Sequence, residues 1–195
     1  MPTATVDLNT IREKIMLSAR RLFVQNGYYS TSITDIIKHS QTSTGAIYHH
    51  FPSKEAIARE IHKDAVSEYL HRYATQVKPK QSFSEKLTAY VAMMFEWTEA
   101  DSDMVTYLLY ARPAEILNEK STICSSEGMK TISEFLTEGV IQQEISINNY
   151  HVAIGLISGT IARLIDLRID GFITTPLTEL AEETANKILS GLKRQ

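Results

Sequence analysis

Apolar positions recur at three- and four-residue spacing along most of the chain, the period of helices that each bury one face. Ile11, Ile15, Ala19, Leu22 and Phe23 trace the first stripe, and Asn26-Gly27 then supplies a left-handed stop. A short second segment has Ser32 as its cap, Asp35 in capping-box position and Ile33, Ile36 and Ile37 as its apolar face. A third, equally short, starts at Ser43 and turns Ala46 and Ile47 inward, with Tyr48 either partly inward or free. Phe51-Pro52 ends it, because the residue before a proline is pushed out of helical geometry. Ser53 then caps a longer helix, with Glu55 in its first turn, a stripe of Ile57, Ile61, Ala65, Tyr69, Tyr73 and Val77, and Pro79 at its close.

The spacing predicts a fifth helix from about Phe83 through Leu87, Tyr90, Met94 and Trp97 to the acidic break Glu99-Ala100-Asp101. Met104 to Tyr110 reads as helix up to Pro113, residues 114–126 show no clear period, and Met129 to Gln143 is helical again. The segment from Asn149 to Ile169 is apolar around most of its circumference. The last helix has Pro176 in its first turn, where a missing N–H costs little, and uses Leu177, Leu180, Ala181, Thr184, Ile188 and Leu189. No stretch alternates as a strand does. The predicted fold is all-α, about nine helices.

Composition narrows the function. With 195 residues, 43% hydrophobic and 22% charged, the chain is ordinary globular protein. One cysteine, Cys124, excludes an internal disulfide framework and a cysteine-rich zinc site, and a cytoplasmic location is expected. The most apolar stretch, Val152 to Ile165, is too short to span a bilayer and is followed at once by Asp166 and Arg168. The net charge of −3 hides an asymmetry: residues 1–60 hold seven Lys/Arg against five Asp/Glu, and residues 61–195 hold thirteen against eighteen. An N-terminal module facing an anion fits this distribution.

One long helix followed by two short ones within residues 8–51 is the layout of a helix-turn-helix, whose second short helix enters the DNA major groove. Ser43, Thr44, Gly45, Tyr48, His49 and His50 offer hydroxyls, a phenol and imidazoles, groups that bind phosphates and read base edges. Lys54, in the first turn of the next helix, is placed to meet a phosphate together with exposed N–H groups. A metal pair at His49-His50 is disfavoured, because adjacent side chains on a helix diverge.

The run TSITDIIKHSQTSTGAIYHHFPSKEAIAREI from Thr31 resembles the DNA-binding domain of the tetracycline-repressor (TetR) family. The Phe23-Val24-Gln25-Asn26-Gly27-Tyr28 stretch before it, Ile33-x-x-Ile36, Gly45 and Tyr48-His49-His50-Phe51-Pro52-Ser53-Lys54 carry the likeness. The resemblance implies a DNA-binding domain at 1–53 and a ligand-binding and dimerisation domain at 54–195, with the 54–78 helix as connector. It implies Thr34, Thr44, Gly45 and Tyr48 at bases or thymine methyls, and Ser32, Ser43, His49, His50 and Lys54 at phosphates. Gln41 stands where the family commonly has a turn glycine, Thr42 where a small aliphatic is usual, and Thr44 and Ala46 where Lys and Thr are common. The operator sequence is therefore not inherited.

Residues 83–135 hold large, adaptable side chains, read either as core or as the lining of an apolar ligand cavity. Met94, Trp97, Tyr107 and Tyr110 are the candidate lining, with Arg112, His151 and Arg163 as polar anchors or as partners of local carboxylates. Gly155-x-x-x-Gly159 with Leu156, and Ile188 on the last helix, are the candidate homodimer seam. The expected function is a one-component transcriptional regulator: a homodimer on a palindromic double-stranded operator, released by a small-molecule effector, without cofactor, metal or membrane partner. Activation instead of repression, ligand-independent regulation, a helical enzyme and an adaptor are the alternatives. No phosphate loop, nucleophile elbow or metal spacing supports catalysis.

Overall fold

The computed structural model describes residues 10–110 and 127–193, which form nine α-helices and no strand. Helix α1 spans Ile11–Asn26, α2 Ile33–Ser40 and α3 Thr44–His50. Helix α4 runs from Lys54 to Arg72 and continues through one π turn, Tyr73–Val77, ahead of Pro79. The rest are α5 Phe83–Ala100, α6 Ser102–Tyr110, α7 Glu127–Ile141, α8 Tyr150–Ile169 and α9 Leu177–Leu192.

Ser32, Ser43 and Ser53 cap their helices as the sequence predicts, and Ser82 adds a cap at the start of α5. Ser32, Ser43, Ser53 and Ser82 each accept a hydrogen bond from the backbone N–H three residues on, worth about 1 kcal/mol apiece. Thr10 and Glu13 form a further capping box at the start of α1, and Gly27 ends that helix at φ 83°, where a side chain is disfavoured. Pro176 stands one residue outside α9, its backbone extended at ψ 135°, rather than inside the first turn.

One continuous core results, with a headpiece part and a body part. Ile15, Ala19, Ile36, Ile47 and Ile57 fill the headpiece made by α1–α3 and the start of α4. Helix α5 is the axis of the body, packed by the π turn, α6, α7, α8 and α9, with Phe83, Leu87, Val91 and Phe95 fully buried. Helix α6 joins the two, lying against α1 and α4 as well as α5. At the α5–α6 break, Asp101 receives the buried Arg20 of α1 at 2.9 Å and the Met104 N–H at 3.1 Å. No helix among the described residues is long and apolar enough to cross a membrane.

At the far end, Glu99 forms a two-pronged pair with Arg168 (2.8 and 3.0 Å) and accepts the Leu177 N–H at 2.9 Å, which fixes the entry to α9. Where α7 crosses α5, a Cβ on Gly139 would lie 2.7–2.9 Å from three carbons of Phe83, including its Cβ. Gly139→Ala is expected to cost about 1–3 kcal/mol, read as a lower denaturant midpoint. The pair with Arg168, then the Leu177 amide, holds the Glu99 carboxyl below the usual glutamate range. A carboxylate depressed on folding gives stability that is complete above its unfolded pKa of about 4.3 and is lost as pH falls through the folded value. Glu99→Gln should therefore lower stability near neutrality and flatten the acid limb of the stability–pH curve.

Candidate nucleic-acid interface and effector cavity

Helix α3 buries one residue, Ile47, and its other residues look outward. Thr44, Gly45, Tyr48, His49 and His50 are all exposed, and Ala46 is half-buried. Tyr48 is 54% exposed, so its phenol stays out of the small core. The Ser43 hydroxyl is engaged as the α3 cap, 3.1 Å from the Ala46 N–H. At Gly45 the nearest atom to a Cβ would be Ser43 Oγ at 3.9 Å, so internal packing does not require glycine there. The His49 and His50 rings meet edge to face at 5.0 Å, and no group of three metal-ligating residues occurs among the described residues.

Thr34 is exposed in the first turn of α2. Ser32, also exposed, donates its hydroxyl to Asp35 at 2.6 Å and accepts the Asp35 N–H at 3.1 Å. Those bonds, side chain first and then backbone, hold the Asp35 carboxyl below its usual range. A carboxylate therefore already occupies the donors at the start of α2. Lys54 is turned inward: its Nζ donates to the carbonyls of Tyr28 (2.9 Å) and Thr31 (2.8 Å) and lies 4.1 Å from the Tyr28 ring centroid. Between α2 and α3, Gln41 adopts the left-handed conformation, φ 55° and ψ 37°.

A cavity of about 300 Å³ lies in the body between α4, α5, α6, α7 and α8. Met94, Leu108, Met129, Ile132 and Ile154 give it apolar walls, and Tyr69, Tyr90, His151 and Ser158 its polar atoms. Of the anticipated lining, Met94 and His151 are present. Trp97 is buried elsewhere, under the Arg72 guanidinium at 5.2 Å. Tyr107 points to the headpiece side, where its hydroxyl donates to the Ala58 carbonyl at 3.0 Å and burial pushes its pKa up. Tyr110 reaches Asp166 at 2.7 Å on the outside, and Arg163 is exposed outside the lining. Arg112 and Cys124 lie outside the described residues. Tyr69 and Ser158 were missed as lining; the turn-by-turn spacing of His151, Ile154 and Ser158 on α8 is the signal that marks the cavity face.

On α8, Gly155 lines the exposed mouth of this cavity and Gly159 is exposed one turn on, both with nothing within 4 Å of a Cβ position. Leu156 is half-buried and packs toward Gly191. Ile188 is a correction: at 2% exposure it fills its own chain's core, because its face of α9 turns to α5, and it is not free for a partner.

Comparison with known proteins decides the family. Residues 15–61 match the model of bacterial regulatory proteins of the tetR family. The HTH-type transcriptional regulator YxaF of Bacillus subtilis (strain 168) is 30% identical over 175 residues, 86% of this chain and 85% of that protein. The chain belongs to the TetR family. As a TetR-family protein it is a DNA-binding transcriptional regulator. Its fold matches the ketosteroid regulator KstR2 of Mycobacterium tuberculosis (TM-score 0.78, 20% identity, 96% and 97% of the two chains). It also matches FadR of Bacillus subtilis in complex with stearoyl-CoA (TM-score 0.73, 23% identity, 92% and 98%).

Gln41 marks a local departure with a measurable consequence. A left-handed residue other than glycine carries a steric cost, so Gln41→Gly should raise unfolding stability by about 1 kcal/mol. The change would appear as a higher thermal or denaturant midpoint.

Proposed function

We propose that this regulator is a homodimeric repressor that leaves its palindromic operator when a small, largely apolar molecule fills the body cavity. The cavity's position carries the reading. Leu108 and Leu109 of the nine-residue α6 line it, and the neighbouring Tyr107 of the same helix holds α4 beneath the headpiece. A ligand that prefers one setting of α6 thereby prefers one setting of the headpiece. The stearoyl-CoA bound by the similar FadR supports an apolar effector. The open face of α8 around Gly155 and Gly159 is where a second copy would sit, joining two α3 helices to two half-sites.

The chain acts by binding alone. Effector and operator then weaken each other by the same factor, and a coupling of about 1–3 kcal/mol gives a 5- to 150-fold switch. On α3, Thr44, Gly45 and Tyr48, with Thr34 of α2, face the bases; Ser32, Ser43, His49 and His50 lie toward the backbone.

Selection of bound sequences from a random DNA pool, with the mass of the complex measured in solution, tests this reading. Enrichment of a palindrome bound by a dimer is expected, and a folded protein that enriches no sequence would refute it. On the selected operator, Thr44→Ala should relax preference at one base step by about 1 kcal/mol. Measuring the affinity of each single-base operator variant checks this; equal weakening on all of them would contradict it.

A further inference from the structure

The seam between headpiece and body holds a buried cation with a donor to spare and, across the same cleft, a carboxylate that nothing engages among the described residues. The cleft, about 370 Å³, lies between α1, α4 and the α5–α6 break, and Met16, Arg20, Ile61, Asp64, Asp101 and Met104 line it. Arg20 gives Nη2 to both oxygens of Asp101, at 2.9 and 3.0 Å, while its Nε is buried without a hydrogen bond. Buried donors are almost always paired, so an orphan N–H on a buried guanidinium calls for a reason. Asp64, on the α4 wall, makes no hydrogen bond or ion pair with a described residue. Around it stand Arg12, Glu13 and Arg20 of α1, Glu60 and Lys63 of α4, and Asp101 of the break; Arg12 is taken by Glu60 at 2.6 Å. Loss of water around the Asp64 carboxyl raises its pKa, which Arg12, Lys63 and Arg20 offset only in part and Glu60 reinforces.

We propose that Arg20 is a two-position latch: held by Asp101 it fastens α1 to the α5–α6 break, and when the headpiece shifts against the body it passes to Asp64 of α4. The charges of the cleft carry this. A buried guanidinium that loses its carboxylate becomes an uncompensated charge, which opposes any motion of α1 against α6. Asp64 removes that penalty. It lies on the same helix as Ile57, which packs in the headpiece, so it stays beside α1 when the headpiece moves. The guanidinium is then compensated in both settings, and the seam has two discrete arrangements rather than one that strains continuously. The orphan Nε is the donor left over in the first of them. The latch acts on the seam alone and holds whatever molecule fills the body cavity.

Equilibrium unfolding of the full chain, with the Asp64 carboxyl titrated by carbon NMR, tests the latch. Asp64→Asn alone should leave the denaturant midpoint unchanged, since Arg20 is held by Asp101. Asp101→Asn keeps a side chain that can cap α6 and removes only the charge; the chain should fold with a lower midpoint. In that variant Asp64 should titrate about one pH unit or more below its wild-type value, because Arg20 has turned to it. Asp101→Asn and Asp64→Asn combined should lower the midpoint by more than the two single changes added, since the guanidinium then has neither carboxylate. Additive losses, or an Asp64 titration that Asp101→Asn does not move, would overturn the proposal. So would an Asp101→Asn chain that does not fold, since Asp64 is there to take the charge.

Discussion

Arg20 carries its charge into the seam between headpiece and body, at 8% exposure, and both oxygens of Asp101 lie within 3.0 Å of its Nη2. Its Nε is buried without a hydrogen-bond partner, and Asp101, with the Asp64 carboxylate nearby, compensates the guanidinium's desolvation. Removing one member of a fully buried pair costs about 3–5 kcal/mol. Asp101 is partly open to water, which brings the cost below that range. Asp101 also ends α5 and caps α6, so one carboxylate sets three helices. Arg21–Asp103 at 3.4 Å and Arg12–Glu60 at 2.6 Å extend the seam as more exposed pairs that contribute less.

The headpiece needs this seam, because three helices of which two are under ten residues bury too little apolar surface to be stable alone. It borrows α4, whose Ile57 packs in the headpiece part and whose Tyr69 packs in the body part of one continuous core. Helix α6 braces the arrangement from the other side. Its Tyr107 touches α4 and its Leu108 touches the cavity, so cavity occupancy and headpiece geometry share one short rigid element. In the proposed mechanism, regulation rests on that shared element rather than on any contact between effector and DNA.

Most of the fold was legible because its signals are local. Capping residues, proline stops and 3.6-residue stripes place the helix ends within a residue or two, as at Ser32, Ser53 and Gly27. The outward set on α3 was legible for the same reason: Ile47 alone points inward, and the rest of a seven-residue helix has nowhere else to go. Periodicity fails where a side chain must choose between two buried destinations. Met94, Trp97 and Tyr107 all lie on inward stripes, yet Met94 lines the cavity, Trp97 sits under Arg72, and Tyr107 braces α4. Ile188 illustrates the same ambiguity for an interface. Lys54 shows another: its place in a helix's first turn says nothing of the two carbonyls that the chain brings to it from residues 28 and 31.

Headpiece and body are joined at Arg20–Asp101 and are expected to unfold as one unit. Trp97, the single tryptophan, is buried in the body and reports its unfolding, while far-UV circular dichroism reports all the helices together. Equilibrium denaturation followed by both signals is the direct measurement. Coincident transitions for the wild-type chain are predicted. Loss of helix signal ahead of Trp97, with the headpiece melting while the body stands, would contradict the account.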